Sequence, residues 1–429
     1  MKKSATQPRR SVLSAAVCSA LLAAALPASA NIGMENIAFS AKSMGRAGTD
    51  IALGDDASVM NTNPALLSNI GAARADMNLE MMFPEFGYRN TVNDTDGKSP
   101  IYVIPSAGYA RRLNDRLVLG VAMFNEGGTG TDYGVLNVDN TLLGGTGTSG
   151  IEHFSQFGYM VVTPTVAYQI SEGLSLGISP QIGYGMLRMK MPMPIDLSGV
   201  GTGPYEFGAV DMDGTDVNFR VKLGLSYNAG GRYGFGLAYT SKAAINADGD
   251  VTVTSPSIGV MRGKSLVKIG WPSSLKAGAF YDAGPMGRLI GEVQRVNWSE
   301  YYDSIPVTWK MPGGDMSFNM NIGMKDQTAW RIGYEYPLNS AITLRAGWAH
   351  GKNPIPSTGI IAIMNPIVED HVTVGLGYQS GKNFEFNMAV VRGLNNTVTG
   401  APTHPFPDAQ NSQTDMAFWS MAMQLSYKW

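Results

Sequence analysis

The sequence predicts an all-β fold: a transmembrane antiparallel β-barrel of about fourteen strands, with an N-terminal plug in its lumen. Three observations carry this. Apolar residues alternate with small or polar ones over hundreds of positions. Short and long connections alternate strictly between those segments. Charged residues are only 15% of the chain, well below the roughly one quarter usual in soluble proteins.

Residues 1–30 read as a secretory signal. Lys2, Lys3, Arg9 and Arg10 precede the apolar run 11–26, and Ala28-Ser29-Ala30 is an A-x-A-like cleavage site. The run is too short for a transmembrane helix. Cleavage there leaves 399 residues beginning at Asn31. The signal holds four of the 32 basic residues and none of the 34 acidic ones, so the formal charge moves from −2 to −6. This mild acidity argues against a nucleic-acid partner. The single cysteine, Cys18, leaves with the signal, so the mature chain forms no disulfide. No later segment approaches eighteen uninterrupted apolar residues.

Residues 31–73 have no sustained period. Asn63 suits a helix cap, Pro64 the first helical position, and Gly71 the end. NPALLSNI (63–70) is thus one or two helical turns. A fourteen-strand lumen is wider than the eight-strand case that side chains fill, so a compact segment has a place to fold.

Residues 74–429 supply the wall, with strands expected at 75–88, 100–113, 116–126, 154–170, 174–189, 214–227, 231–246, 264–281, 287–302, 327–338, 340–350, 370–380, 383–394 and 415–429. In the last of these, Ala417, Trp419, Met421, Met423, Leu425, Tyr427 and Trp429 share one face. Ser420, Ala422, Gln424, Ser426 and Lys428 share the other. Apolar faces ending in aromatics match the lipid face and girdle of an outer-membrane barrel. An even strand count with short turns on one side places both ends in the periplasm. Closure follows because backbone groups in lipid must pair internally. A soluble sandwich or propeller would bury the same apolar faces, but would not require this alternation of short and long connections. Trp429 closes an aromatic strand, the kind of terminus expected to meet the barrel-assembly machinery.

The run SAKSMGRAGTDIALGDDASVMNTNPALLS (40–68) resembles the N-terminal hatch of the FadL family, outer-membrane transporters of long-chain fatty acids and other hydrophobic compounds. Gly45-Arg46-Ala47-Gly48, Asp56-Ala57-Ser58 and Asn63-Pro64-Ala65 carry the match. TPTVAYQISEGLSLG (163–177), WPSSLKAGAFYD (271–282), VNWSEY (296–301), AWRIGYEYPLNSAITLRAGWAH (329–350) and VEDHVTVGLGYQ (368–379) continue it in order. The resemblance implies a monomeric fourteen-strand barrel, a hatch closing the lumen, and substrate leaving sideways through the wall. It gives Asn31, Gly45, Asn63, Pro64 and Ala65 gating positions.

Two outer loops are unexpectedly apolar. One carries Met186, Leu187, Met189, Met191, Met193, Ile195 and Leu197; the other carries Ile355, Ile360, Ile361, Ile363, Met364 and Ile367. A large apolar patch marks a binding surface, and flexible Met side chains suit ligands of varied shape. Packing of loop on loop is the alternative. Arg188 and Lys190 are candidates for a carboxylate head or for lipopolysaccharide. Strand parity places Phe124, Phe157, Tyr159 and Val161 in the lumen, where a purely aqueous channel has no use for them. With Leu187 they form the predicted ligand pocket; packing against the plug is the alternative. Pro164 and Pro180 lack ladder donors, and Gly127-Gly128 is expected to end the third strand. These features place a wall opening near the third and fourth strands. Strand 287–302 loses parity near Arg295-Val296, as a bulge would cause.

Other motifs lack context. GLSLG (173–177) matches G-x-S-x-G but begins a strand rather than a strand-to-helix turn. GTGTSG (145–150) reads as a loop, and DMDGTD (211–216) lacks the later glutamate of a calcium loop. His153, His350, His371 and His404 are scattered; His153 with Ser155 evokes a lipid hydrolase without a third partner. No cofactor, metal site or catalytic residue is expected. The expected function is passive uptake of hydrophobic small molecules, with fatty acid as the broader class and aromatic hydrocarbon beside it. A hydrophilic channel and a lipid hydrolase are the alternatives.

Overall fold

The computed structural model describes residues 32–196 and 205–429. The signal, Asn31 and Leu197 lie outside the described residues. Nineteen described strands join in one antiparallel sheet. The chain first runs through β1 (Ala73–Arg89), the short β2 (Asp94–Asp96), β3 (Tyr102–Arg112), β4 (Leu117–Asp139), β5 (Thr148–Ser171), β6 (Leu174–Asp196) and β7 (Tyr205–Ala229). It continues through β8 (Tyr233–Thr240), β9 (Ala243–Ser255), β10 (Gly259–Trp271), β11 (Ser274–Asp282), β12 (Arg288–Val296), β13 (Ile305–Met311) and β14 (Gly314–Met320). It ends with β15 (Gln327–Pro337), β16 (Ile342–Gly351), β17 (Asp370–Ser380), β18 (Phe384–Thr399) and β19 (Gln413–Lys428). β1 pairs with β19 from Arg74↔Lys428 to Arg89↔Gln413, which closes the wall as fourteen passes.

The expected passes are present, with four corrections. Strand 231–246 is β8 and β9, broken at Ser241-Lys242, and strand 264–281 is β10 and β11, broken at Pro272-Ser273. The two breaks are neighbours, since Ala243↔Trp271 and Thr240↔Ser274 flank them. Pro272 cannot donate to a ladder, so the hairpin bends there. Strand 287–302 has no bulge; it ends at Val296, and the helix Ser299–Tyr302 turns Trp298 and Tyr302 into the interior. Gly127-Gly128 does not end the third pass, because β4 continues to Asp139. DMDGTD lies within β7, and GTGTSG runs into β5. The long connections are therefore largely strand: β4–β5, β6–β7 and β9–β10 extend as hairpins beyond the span that alternation alone marks.

The outward face is apolar where parity requires it. Val121, Val162, Val166, Trp330, Val374 and Leu425 are exposed on it. The inward face is polar, with Lys222, Glu292, Arg331, Asn387 and Gln424 buried. Residues 32–70 fill the lumen against those groups, and nearly all of them are buried. Within this hatch, α1 (Ala41–Met44) is capped by the Ser40 hydroxyl, which accepts from the Ser43 amide. α2 (Val59–Thr62) leads to a 3-10 turn, Pro64–Asn69, capped by Asn63 with Pro64 at its start. That is the short helix the sequence predicts.

Candidate functional site: two apolar pockets and a break in the wall

The two apolar loops do meet over the barrel, and their packing encloses two cavities. The outer cavity is lined by Met191, Pro192, Phe207, Ile361, Ile363 and Phe406, with His153, Tyr88 and Asp408 as its polar side chains. The inner one is lined by Phe157, Leu187, Met189, Val267, Ile269, Met320 and Met364 among others. Thr129, Ser155 and Tyr302 also line it, and among the described residues no carboxylate, guanidinium or ammonium does. Ile363 belongs to both walls. It sits in a tight turn in which the Met364 amide donates to the Ile361 carbonyl at 3.0 Å. The Ser155 hydroxyl fixes that turn by donating to the Ile363 carbonyl.

Strand period explains who lines what. Phe157, Leu187 and Met189 point inward from β5 and β6, with Phe157↔Leu187 directly paired. Met191 is two residues further out and reaches the outer cavity instead. Ile361 and Ile363 line the outer cavity. The other predicted pocket residues have different neighbours. Phe124 packs edge-on against Phe39 of the hatch at 5.8 Å. Tyr159 stacks on Trp271 at 5.1 Å and donates its hydroxyl to Asn218 Oδ1 at 2.7 Å. Val161 is buried deeper, and Met193 packs half-buried among the outer strands. Arg188 and Lys190 face outward beside acidic partners; Lys190 Nζ lies 2.7 Å from Glu152.

Sequence reading missed half of the inner wall. Val267 and Ile269 come from the bent hairpin, Tyr302 from the helix Ser299–Tyr302 where a strand is expected, and Ile305 and Met320 from segment 303–326, read as a plain loop. The inward parity of Val267, Ile269 and Trp271, ending at Pro272, was the available signal. His153 and Asp408 converge although 255 residues separate them in the chain. They do not complete a hydrolytic relay with Ser155. His153 Nδ1 is spent on the Ile151 carbonyl, and Ser155 on Ile363.

The wall is interrupted on the inner side of the third pass. β3 and β4 pair only from Arg112↔Val118 to Ala107↔Met123. Above that, Tyr102–Ser106 pair with β1 alone, while β4 continues with β5. The break is thus between the second and third passes, not the third and fourth. Hatch backbone takes the vacant position: Asn36 N–H donates to the Glu126 carbonyl at 3.0 Å, and Gly128 N–H to the Met34 carbonyl at 2.9 Å. Gly127 is required there, since its φ is +145° and a Cβ would lie 2.0 Å from the Met34 carbonyl oxygen. Glu126 turns inward to the Arg220 guanidinium, and both are buried.

Of the residues expected to gate, Gly45, Asn63, Pro64 and Ala65 hold the hatch to the wall. Gly45 lies against Gly375. Asn63 Nδ2 donates to the carbonyls of Ile51 and Leu225 at 2.7 and 2.9 Å. Pro64 and Ala65 sit directly over Gly177 and Gly224, where any side chain would collide. Arg46 Nη1 meets Glu335 at 2.6 Å, and Lys276 Nζ meets Glu35 at 2.6 Å. Burial pushes the Glu35 carboxyl up, but Lys276 and Arg331 outweigh it and hold it at about 2. Asp50 goes the other way. Burial and the adjacent Glu292 carboxylate push it up to about 7.

The comparisons agree with this architecture. The family described as outer membrane protein transport protein (OMPP1/FadL/TodX) matches residues 20–428. Outer membrane protein P1 of Haemophilus influenzae is 23% identical over 358 residues, covering 73% of this chain and 75% of that protein. The long-chain fatty acid transport protein of Escherichia coli is 20% identical over 396 residues, covering 81% and 86%. The crystal structure of the Pseudomonas putida toluene transporter TodX superposes with a TM-score of 0.78 at 20% identity, covering 92% of this chain and 99% of that one. With a closed fourteen-pass wall, an internal hatch and a match across nearly its whole length, the chain belongs to the FadL family of outer-membrane transport proteins.

Proposed function

We propose that this protein carries uncharged hydrophobic small molecules passively across the outer membrane, after export and removal of residues 1–30. The observation that supports this reading is the pair of apolar cavities sharing Ile363, the inner one lined by no ionised group among the described residues. Burial of apolar surface drives capture, at roughly 25 cal/mol per Å². A carboxylate in the inner cavity would lose its water and find no cation, which is costly. That favours a hydrocarbon over a fatty-acid anion, reversing the broader expectation from sequence.

The outer cavity takes the ligand first, and the Ile361–Met364 turn separates it from the inner one. Release is sideways, through the β3–β4 break, when residues 34–36 let go of β4. The hatch moves as a monomer's internal gate, with no energy input. Arg188, Lys190 and the outer girdle contact lipopolysaccharide and lipid, and Trp429 serves recognition by the assembly machinery. Uptake by proteoliposomes tests the reading with radiolabelled toluene and oleate. Saturable toluene uptake above empty vesicles is expected. Oleate uptake without toluene uptake would overturn the uncharged-ligand assignment.

A further inference from the structure

The outer cavity holds a polar pair that capture of a pure hydrocarbon does not use. His153 is 2% exposed, and its Nε2 has no hydrogen-bond partner. Its Nδ1 lies 2.9 Å from the Ile151 carbonyl oxygen. A carbonyl accepts only from N–H, so the Nδ1 carries the proton, and in the neutral ring Nε2 is an acceptor. Asp408 Oδ2 lies 3.8 Å from that nitrogen. Asp408 is itself held in place: Asn90 Nδ2 donates to its Oδ1 at 3.2 Å, and the Tyr88 hydroxyl to its backbone carbonyl at 2.9 Å. His153 and Asp408 both line the cavity, among Met191, Phe207, Ile363 and Phe406.

Two acceptors therefore converge in an apolar pocket; Asp408 takes a hydrogen bond from Asn90 on its Oδ1, while the buried His153 Nε2 has no partner. A buried acceptor left unmatched is costly. A hydrocarbon leaves His153 Nε2 unmatched. A carboxylate brings a third acceptor and a like charge. A hydroxyl on an otherwise apolar molecule supplies the donor that is missing.

We propose that the outer pocket is a selectivity site for hydroxylated hydrophobic compounds, phenols and alcohols, whose O–H donates to His153 Nε2 beside Asp408 Oδ2. This rests on the reading of that pocket as the capture site. Such ligands are uncharged at neutral pH.

Three probes of one shape decide it: toluene, p-cresol and p-toluate, measured by equilibrium binding to the purified full-length barrel. The native protein is expected to bind p-cresol about tenfold more tightly than toluene, the worth of one hydrogen bond, and p-toluate least. His153→Phe and Asp408→Asn are expected to bring p-cresol within about twofold of toluene, read as the ratio of the two affinities within each variant. Retained heat-modifiability on gels reports a folded barrel; if His153→Phe loses it, Asp408→Asn decides alone. Equal native affinities for p-cresol and toluene, or a preference that survives the variants, would overturn the proposal and leave the capture reading standing. Tightest binding of p-toluate would also overturn it, since His153 would then act as a cation. Failure of all three probes to bind would remove both readings.

Discussion

Asn63 ties the hatch to the wall. Its side chain donates to two carbonyls, one in the hatch and one on β7, and accepts from the Ala65 amide at 3.2 Å. Asn63→Ala removes all three, at about 1 kcal/mol each. Amide hydrogen exchange over residues 50–70 should quicken by roughly ten- to a hundredfold, with the barrel itself unchanged. Unaltered exchange would mean that the contacts do not anchor the hatch. Phe157 is the matching residue of the inner cavity, pinned at 6.2 Å from Trp271. Phe157→Ala should weaken toluene binding by about tenfold or more, from the aromatic surface lost. An intact barrel with native affinity would remove Phe157 from the site. Both residues were legible in sequence, Asn63 from its cap-and-proline context and Phe157 from parity. Phe124 has the same parity, and only the path of the hatch puts Phe39 in front of it.

Among elements, the hatch is tied to the wall by charge, and one tie is out of balance. Asp50 and Glu292 are buried together; Glu292 Oε2 accepts from the Asp50 and Ile51 amides at 3.1 and 3.2 Å, and Ser43 donates to Asp50 at 2.6 Å. Arg331, Lys276 and Arg46 face the same cluster. The folded-state value of Asp50, about 7, lies above its ordinary one of 3.8. Its contribution to docking is therefore complete below the ordinary carboxyl range and is lost as pH rises through about 7. Hatch amides should exchange faster at pH 8 than at pH 6 beyond the intrinsic base dependence. Asp50→Asn should abolish that excess; an excess unchanged in Asp50→Asn would assign it to another group.

At the scale of the molecule, closure and plugging are separable. The wall closes through β1–β19 without hatch participation, while the hatch fills the lumen and completes one edge of β4. Deleting residues 32–70 should leave a folded, heat-modifiable barrel with a large, stable single-channel conductance and raised sensitivity to bulky antibiotics. Loss of barrel assembly would instead make the hatch a scaffold. A large conductance from the intact protein would contradict the plugged lumen.

Sequence by itself determined the class, the number of passes and the inside and outside of the strands with clear alternation, 415–429 and 327–338 among them. The reason is that lipid on one face and lumen on the other impose a strict period of two. It also marked the hatch, because a cap, a proline and an aperiodic stretch are local signals. Where the physics stops being local, only the tertiary structure decided. Hairpins extended beyond the bilayer no longer need an apolar outer face, so they read as loops. The bend at Pro272, the break between β3 and β4, and the meeting of His153 with Asp408 all depend on segments far apart in the chain. Each is a property of how the ladders end, and pairing between distant strands leaves no mark in either strand alone.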